Sequence, residues 1–161
     1  MQTILTAAAF GRIRIAVAFV SVTRLHLRSR RFFVPFAMYT FRSAWQARRS
    51  GGFRGGRIGN DPQGGNWTMT SWNSEADMRS FRNAGIHAAA MRKLLDWCDE
   101  ASFAHYVSDD GELPSADAAY QRLGAGKTSK VNHPSPAHAA GRAVSDGMPR
   151  FGLSRRPKER R

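Results

Sequence analysis

The sequence predicts an α+β domain with the element order β-α-β-β-α-β, the ferredoxin-like arrangement. Three observations carry that prediction. Four stretches alternate their side chains at a period of two, two longer ones repeat apolar residues at three- and four-residue steps, and glycine-rich turns separate them. At 161 residues there is length for one domain with a sizeable core. The pattern places that domain at residues 16–110 and a C-terminal helix and arm at 111–140. Residues 1–15 read as a disordered extension and 141–161 as a disordered basic tail.

Within residues 1–15 the apolar run Ile4 to Phe10 has no basic stretch ahead of it and is too short to span a bilayer. A cleaved signal is the lesser alternative there. The first strand, Ala16 to Arg28, sets Val17, Phe19, Ser21, Thr23, Leu25 and Leu27 against Val20, Val22, Arg24, His26 and Arg28. Its basic end, with a solvated His26, emerges from the core. Arg30 to Ser50 reads as the first helix, with Pro35 in its first turn and Gly51-Gly52 at its end. Its expected buried side is Phe33, Phe36, Ala37, Thr40, Phe41, Ala44 and Ala47. Phe53 to Asn60 is a glycine-rich strand, read as bulged or ligand-facing; the run GGFRGGR resembles one copy of an RNA-binding arginine–glycine box.

Asp61 to Gly65 turns the chain into a hairpin partner, Trp67 to Trp72, which runs straight into one amphipathic helix. Ser74 is its expected cap, with Asp77 as a weak capping-box partner. Met78, Phe81, Gly85, Ala88, Met91 and Leu95 make its single apolar stripe. His87 lies about 90° from the middle of that stripe, bordering the buried face. Glu100 to Ser108 alternates as the fourth strand, Ser115 to Leu123 is a short helix, and Lys127 to His138 is a proline-punctuated arm. Two helices then cover one face of a four-stranded antiparallel sheet. The apolar residues on the other face also need a cover, which predicts a homodimer packed sheet to sheet.

The net charge is +13, yet residues 16–110 hold 13 Lys/Arg against 8 Asp/Glu, only +5. Most of the excess sits at the ends, which favours solvated basic tails and argues against a nucleic-acid partner. The single cysteine, Cys98, rules out an internal disulfide and fits a reducing, cytoplasmic setting, and with no segment that spans a bilayer no membrane partner is expected. Gly126-Lys127-Thr128 is not a P-loop, because Gln121 stands where the first glycine belongs and a helix precedes it. Asn66-Trp67-Thr68 is a glycosylation sequon inside a strand. The sequence has no CxxC, HExxH or nucleophile elbow, so zinc chemistry and conventional hydrolysis lack their residues.

What remains is a hollow between sheet and helices. Trp67, Trp72, Phe81, Met91, Trp97 and Phe103 supply apolar walls, and His87, Asn83 and Tyr106 are the polar groups in reach. Apolar walls with a few polar points suit a small, flat apolar or aromatic ligand. A plain packed core with a satisfied His87 is the competing reading.

The stretch Trp67, Trp72, Ser74-Glu75, Phe81, His87 resembles the antibiotic-biosynthesis-monooxygenase type of dimeric α/β barrel. Within that superfamily it is most similar to the uncharacterised group related to spheroidene monooxygenase, over residues 16–110 and the arm SKVNHPSPAH. The resemblance implies oxidation of aromatic polyketide-like substrates without a cofactor, or a haem whose iron takes His87, with Trp67 and Trp72 as cofactor walls. The polar first-strand group of haem-dependent members has only Ser21 and Thr23 as counterparts. The expected function is therefore a monooxygenase-like protein, with His87 catalytic and haem a possible cofactor. The alternatives are a non-enzymatic ligand-binding or stress-response module on the same fold, and a nucleic-acid binder using the basic tails.

Overall fold

The structure is a computed structural model that describes residues 17–152. The extension expected at 1–15, and residues 153–161 of the tail, lie outside the described residues. Strand β1 (Ala18–Leu27) is central, pairing antiparallel with β3 (Gly65–Trp72) on one side and β4 (Cys98–Ser108) on the other. Strand β2 (Phe53–Asn60) flanks β3, and two short strands, β5 (Lys127–Thr128) and β6 (Arg150–Phe151), extend the edges. The result is an α+β domain with a six-stranded antiparallel sheet, ordered β5-β4-β1-β3-β2-β6. Its inner four strands follow the ferredoxin-like pattern. The glycine-rich β2 carries a register shift between Phe53 and Gly55.

Register decides which side chains meet. Arg24 pairs with Trp67 and Val22 with Met69, while Phe19 pairs with Trp72 and Ser21 with Thr70. Alternation therefore puts Trp67 and Trp72 on opposite faces of the sheet. On the Trp72 face, Phe19 and Trp72 pack with Ala47 of α1 (Phe33–Arg49) and with Met78 and Phe81 of α2 (Glu75–Arg82). On the Trp67 face, Val20, Val22, Trp67 and Met69 pack against Ala119 and Leu123 of α4 (Ala116–Gly124). Tyr120, Val144 and Phe151 close round them. The apolar face that motivated a sheet-to-sheet dimer is thus covered by the chain's own C-terminal part. Residues 141–152, expected as tail, are packed and contribute β6 and buried Ala143.

Ser74 caps α2 by accepting the Asp77 N–H at 3.1 Å. The single helix expected beyond it is two, because α3 (Gly85–Trp97) starts afresh at Gly85, where φ is +54°. A left-handed residue cannot continue a right-handed helix, and glycine is the residue that adopts it without strain. The N-cap position, Ala84, has no side chain to cap with. Gln46 of α1 does that work: its Oε1 accepts the His87 N–H at 3.0 Å, and its Nε2 donates to the Phe81 and Ala84 carbonyls. One amide side chain thereby serves the orphan groups of two helix ends.

Helix α1 also departs from expectation. Phe36 and Ala47 face inward, but Phe33 and Phe41, expected inside, are exposed. The far side of the helix is apolar as well, so periodicity alone did not single out one buried stripe.

Candidate functional site

Beneath α4 the sheet is built around an ion network. Arg24 is 2% exposed; its Nε donates to Asp61 at 2.6 Å and its Nη1 to Glu100 at 2.5 Å. Asp61 also accepts from the Trp67 indole at 2.9 Å and from the Gly65 backbone N–H at 2.8 Å. Gly65 is required there, since a Cβ would fall on the Asp61 carboxylate and the Arg24 guanidinium. Burial pushes both carboxyls up, but the hydrogen bonds and the Arg24 charge outweigh it and hold each below its ordinary value. Burial likewise opposes the Arg24 charge, and the two carboxylates more than compensate. His26, expected in solvent, meets Asp99 at 2.6 Å. Every charge has a partner, so this cluster holds the turn and the C-terminal part in place.

The other face is different. An aromatic row runs across it: His105 lies 5.5 Å from Phe19, whose strand partner is Trp72; Trp72 stacks on Phe81 at 5.0 Å, and Phe81 meets His87 at 4.5 Å. Both imidazoles are half-buried. Burial lowers the His87 pKa below 6.5; the hydrogen bond to the Arg82 carbonyl opposes this and the Arg82 charge adds to it. His105 is lowered by burial and then by Arg82, with Arg79 adding and Glu75 opposing. Nδ1 of His87 donates to the Arg82 carbonyl at 3.2 Å, which leaves Nε2 with its lone pair. The buried Trp72 Nε1 has no hydrogen-bond partner.

The expected pocket residues do not all gather here. Trp72, Phe81 and His87 stand in the row, and Phe103 joins its edge 4.9 Å from His105. Trp67 and Tyr106 belong to the opposite face, because they fall on the other phase of their strands. Asn83, at the C-terminal end of α2, and Met91, in the part of the stripe that follows the break at Gly85, are both exposed. Trp97 packs instead with Phe32 and Tyr39. His105, Arg82 and Gln46 were missed. The helix-side position of His105 was legible from the alternation of β4, whereas Gln46 gave no local signal.

Haem fits this arrangement poorly. A neutral imidazole with a free Nε2 is a suitable iron donor. The space beside it, however, is filled by Phe81, which lies between His87 and Trp72 in the stack. Trp67, the second expected wall, is across the sheet. Two surface grooves lie either side of Gln46, and His87 lines neither. One, of about 500 Å³, is lined by Phe41, Arg42, Trp45, Gly85 and Ile86 with Gln46; the other, of about 250 Å³, includes Ser50, Asp77 and Phe81. Among the described residues no cluster of His, Cys, Asp and Glu is placed to hold a metal. Cys98 is a buried core thiol whose pKa is pushed up to about 12 by burial, with Asp99 adding, so it is no nucleophile.

Fold and site together define an α+β domain with two neutral imidazoles on an aromatic row. Comparison with known protein families and with curated proteins gives no match. Among solved structures, one titled "Putative antibiotic biosynthesis monooxygenase from Nitrosomonas europaea" superposes with a TM-score of 0.49 at 12% identity. The likeness covers 57% of this chain and 88% of that one. Agreement at that level establishes neither family nor activity.

Proposed function

We propose that the protein is a cofactor-independent monooxygenase-like enzyme that binds a flat, weakly acidic aromatic ligand beside the His87–His105 row, with the Phe81 ring turned aside to admit it. The observation that supports this is that two half-buried imidazoles, His87 and His105, stand on one aromatic row with Phe81, Trp72 and Phe19, and the charge of Arg82 lowers the pKa of both. A neutral imidazole takes a proton from an activated methylene, and a guanidinium stabilises the anion left behind. That anion gives its electrons to molecular oxygen; one oxygen atom ends in the new carbonyl and the other leaves as water.

An oxygen electrode with a tricyclic anthrone tests the proposal. Uptake of one oxygen per anthrone above the uncatalysed rate is the expected result, with His105→Gln and His87→Gln each lowering it about 10²-fold, the usual share of a general base. Because both imidazoles are held below 6.5, the rate should stay level down to that pH and fall as they protonate. Binding of the anthrone, read by tryptophan quenching, with no oxygen uptake would leave the ligand-binding module as the reading that stands.

A further inference from the structure

The outward side of α1 carries an apolar stripe that is largely exposed. Val34, Met38, Phe41 and Trp45 are 66%, 57%, 74% and 58% exposed. At roughly 100° per residue they fall within about 60° of one another, opposite inward-facing Phe36 and Ala47. Arg48 borders the stripe on one side, Arg42 and Arg49 on the other, and the Arg49 guanidinium sits 3.5 Å over the Trp45 ring. The first acidic residue in the sequence is Asp61, so α1 and everything before it carry no carboxylate side chain.

We propose that α1 is an in-plane anchor that lays this stripe into an anionic lipid surface. Charge decides between the occupants. A second copy of the chain would bring Arg42, Arg48 and Arg49 close to one another, which like charges resist. An anionic bilayer offers phosphates to the guanidiniums on both flanks, an interfacial level for the Trp45 ring, and an acyl boundary for Met38 and Phe41. The contact lies along the membrane, because no described helix is long and apolar enough to cross one. This departs from the expectation of no membrane partner, which rested on the lack of a spanning segment. An amphipathic helix needs none.

Vesicle flotation of the full chain tests it, with phosphatidylcholine alone and mixed with phosphatidylglycerol. Binding to the mixed vesicles alone is expected, weakening steeply with salt. Met38→Glu and Phe41→Glu, exposed positions whose circular dichroism should match the parent, should each cut partitioning roughly tenfold, as should Arg42→Glu. Undiminished flotation of Phe41→Glu would assign binding to the basic ends and overturn the proposal. Equal binding to neutral vesicles, or none to either, would also overturn it. So would flotation that appears only after residues 1–16 are removed, since the chain's own N-terminus would then be the cover. Light scattering that shows a dimer abolished by Phe41→Glu would hand the stripe to a second copy.

Discussion

The two faces of the sheet use the same residue types to opposite ends. Trp67 and Trp72 are both fully buried in one strand. The first donates its indole N–H into a closed network of Arg24, Asp61 and Glu100; the second is buried among rings with that N–H unpaired. Under α4 the charges of Arg24, Asp61 and Glu100 are matched to one another, and the unpartnered buried groups on that face, Ser71 Oγ and Arg57 Nε, lie outside their network. Under α1 and α2 there are two desolvated imidazoles and half-exposed Thr23 and Thr70. The matched ion network lies on one side of the sheet and the imidazoles of the proposed site on the other.

The largest expected break in that contrast is Asp61→Ala. It leaves Arg24 buried with one partner gone and should cost about 3–5 kcal/mol in urea unfolding. The same network sets an acid limit. Asp61 and Glu100 are held below 3.8 and 4.5, so their contribution is complete above those values and is lost as pH falls through the lowered ones. Unfolding midpoints should therefore drop in acid for the parent and much less for Asp61→Asn. A matched pair sharpens the comparison. Trp67→Phe deprives the Asp61 carboxylate of a donor and should cost about 1–3 kcal/mol more than Trp72→Phe, which loses no hydrogen bond. Equal losses would mean that the two indoles differ only in position. The smallest effect belongs to the helix break: Gly85→Ala should cost about 1–2 kcal/mol, because alanine resists φ of +54° and its Cβ would sit 3.0 Å from the Gln46 Oε1. A neutral result would show that the break survives without the glycine.

The strands were legible because their period is short and their edges are marked by turns. Ser74 was legible as a cap because it sits between a strand and an acidic first turn. Three things were not. Gly85 stands at a stripe position, where a small residue is compatible with an unbroken helix, and only Gln46, far off in sequence, reveals the junction. The Arg24 network joins positions 37 and 76 residues apart, beyond any local pattern. The expected hollow failed for a different reason: strand alternation already separated Trp67 from Trp72, and counting both as walls of one pocket ignored it.

Helix α4 and strand β6 reach the Trp67 face as part of the same polypeptide. A tethered lid of this kind competes with outside molecules at an effective concentration of millimolar order. Closure of that side is then indifferent to dilution, and the surface is withdrawn from any role in recognition for as long as the tether is intact.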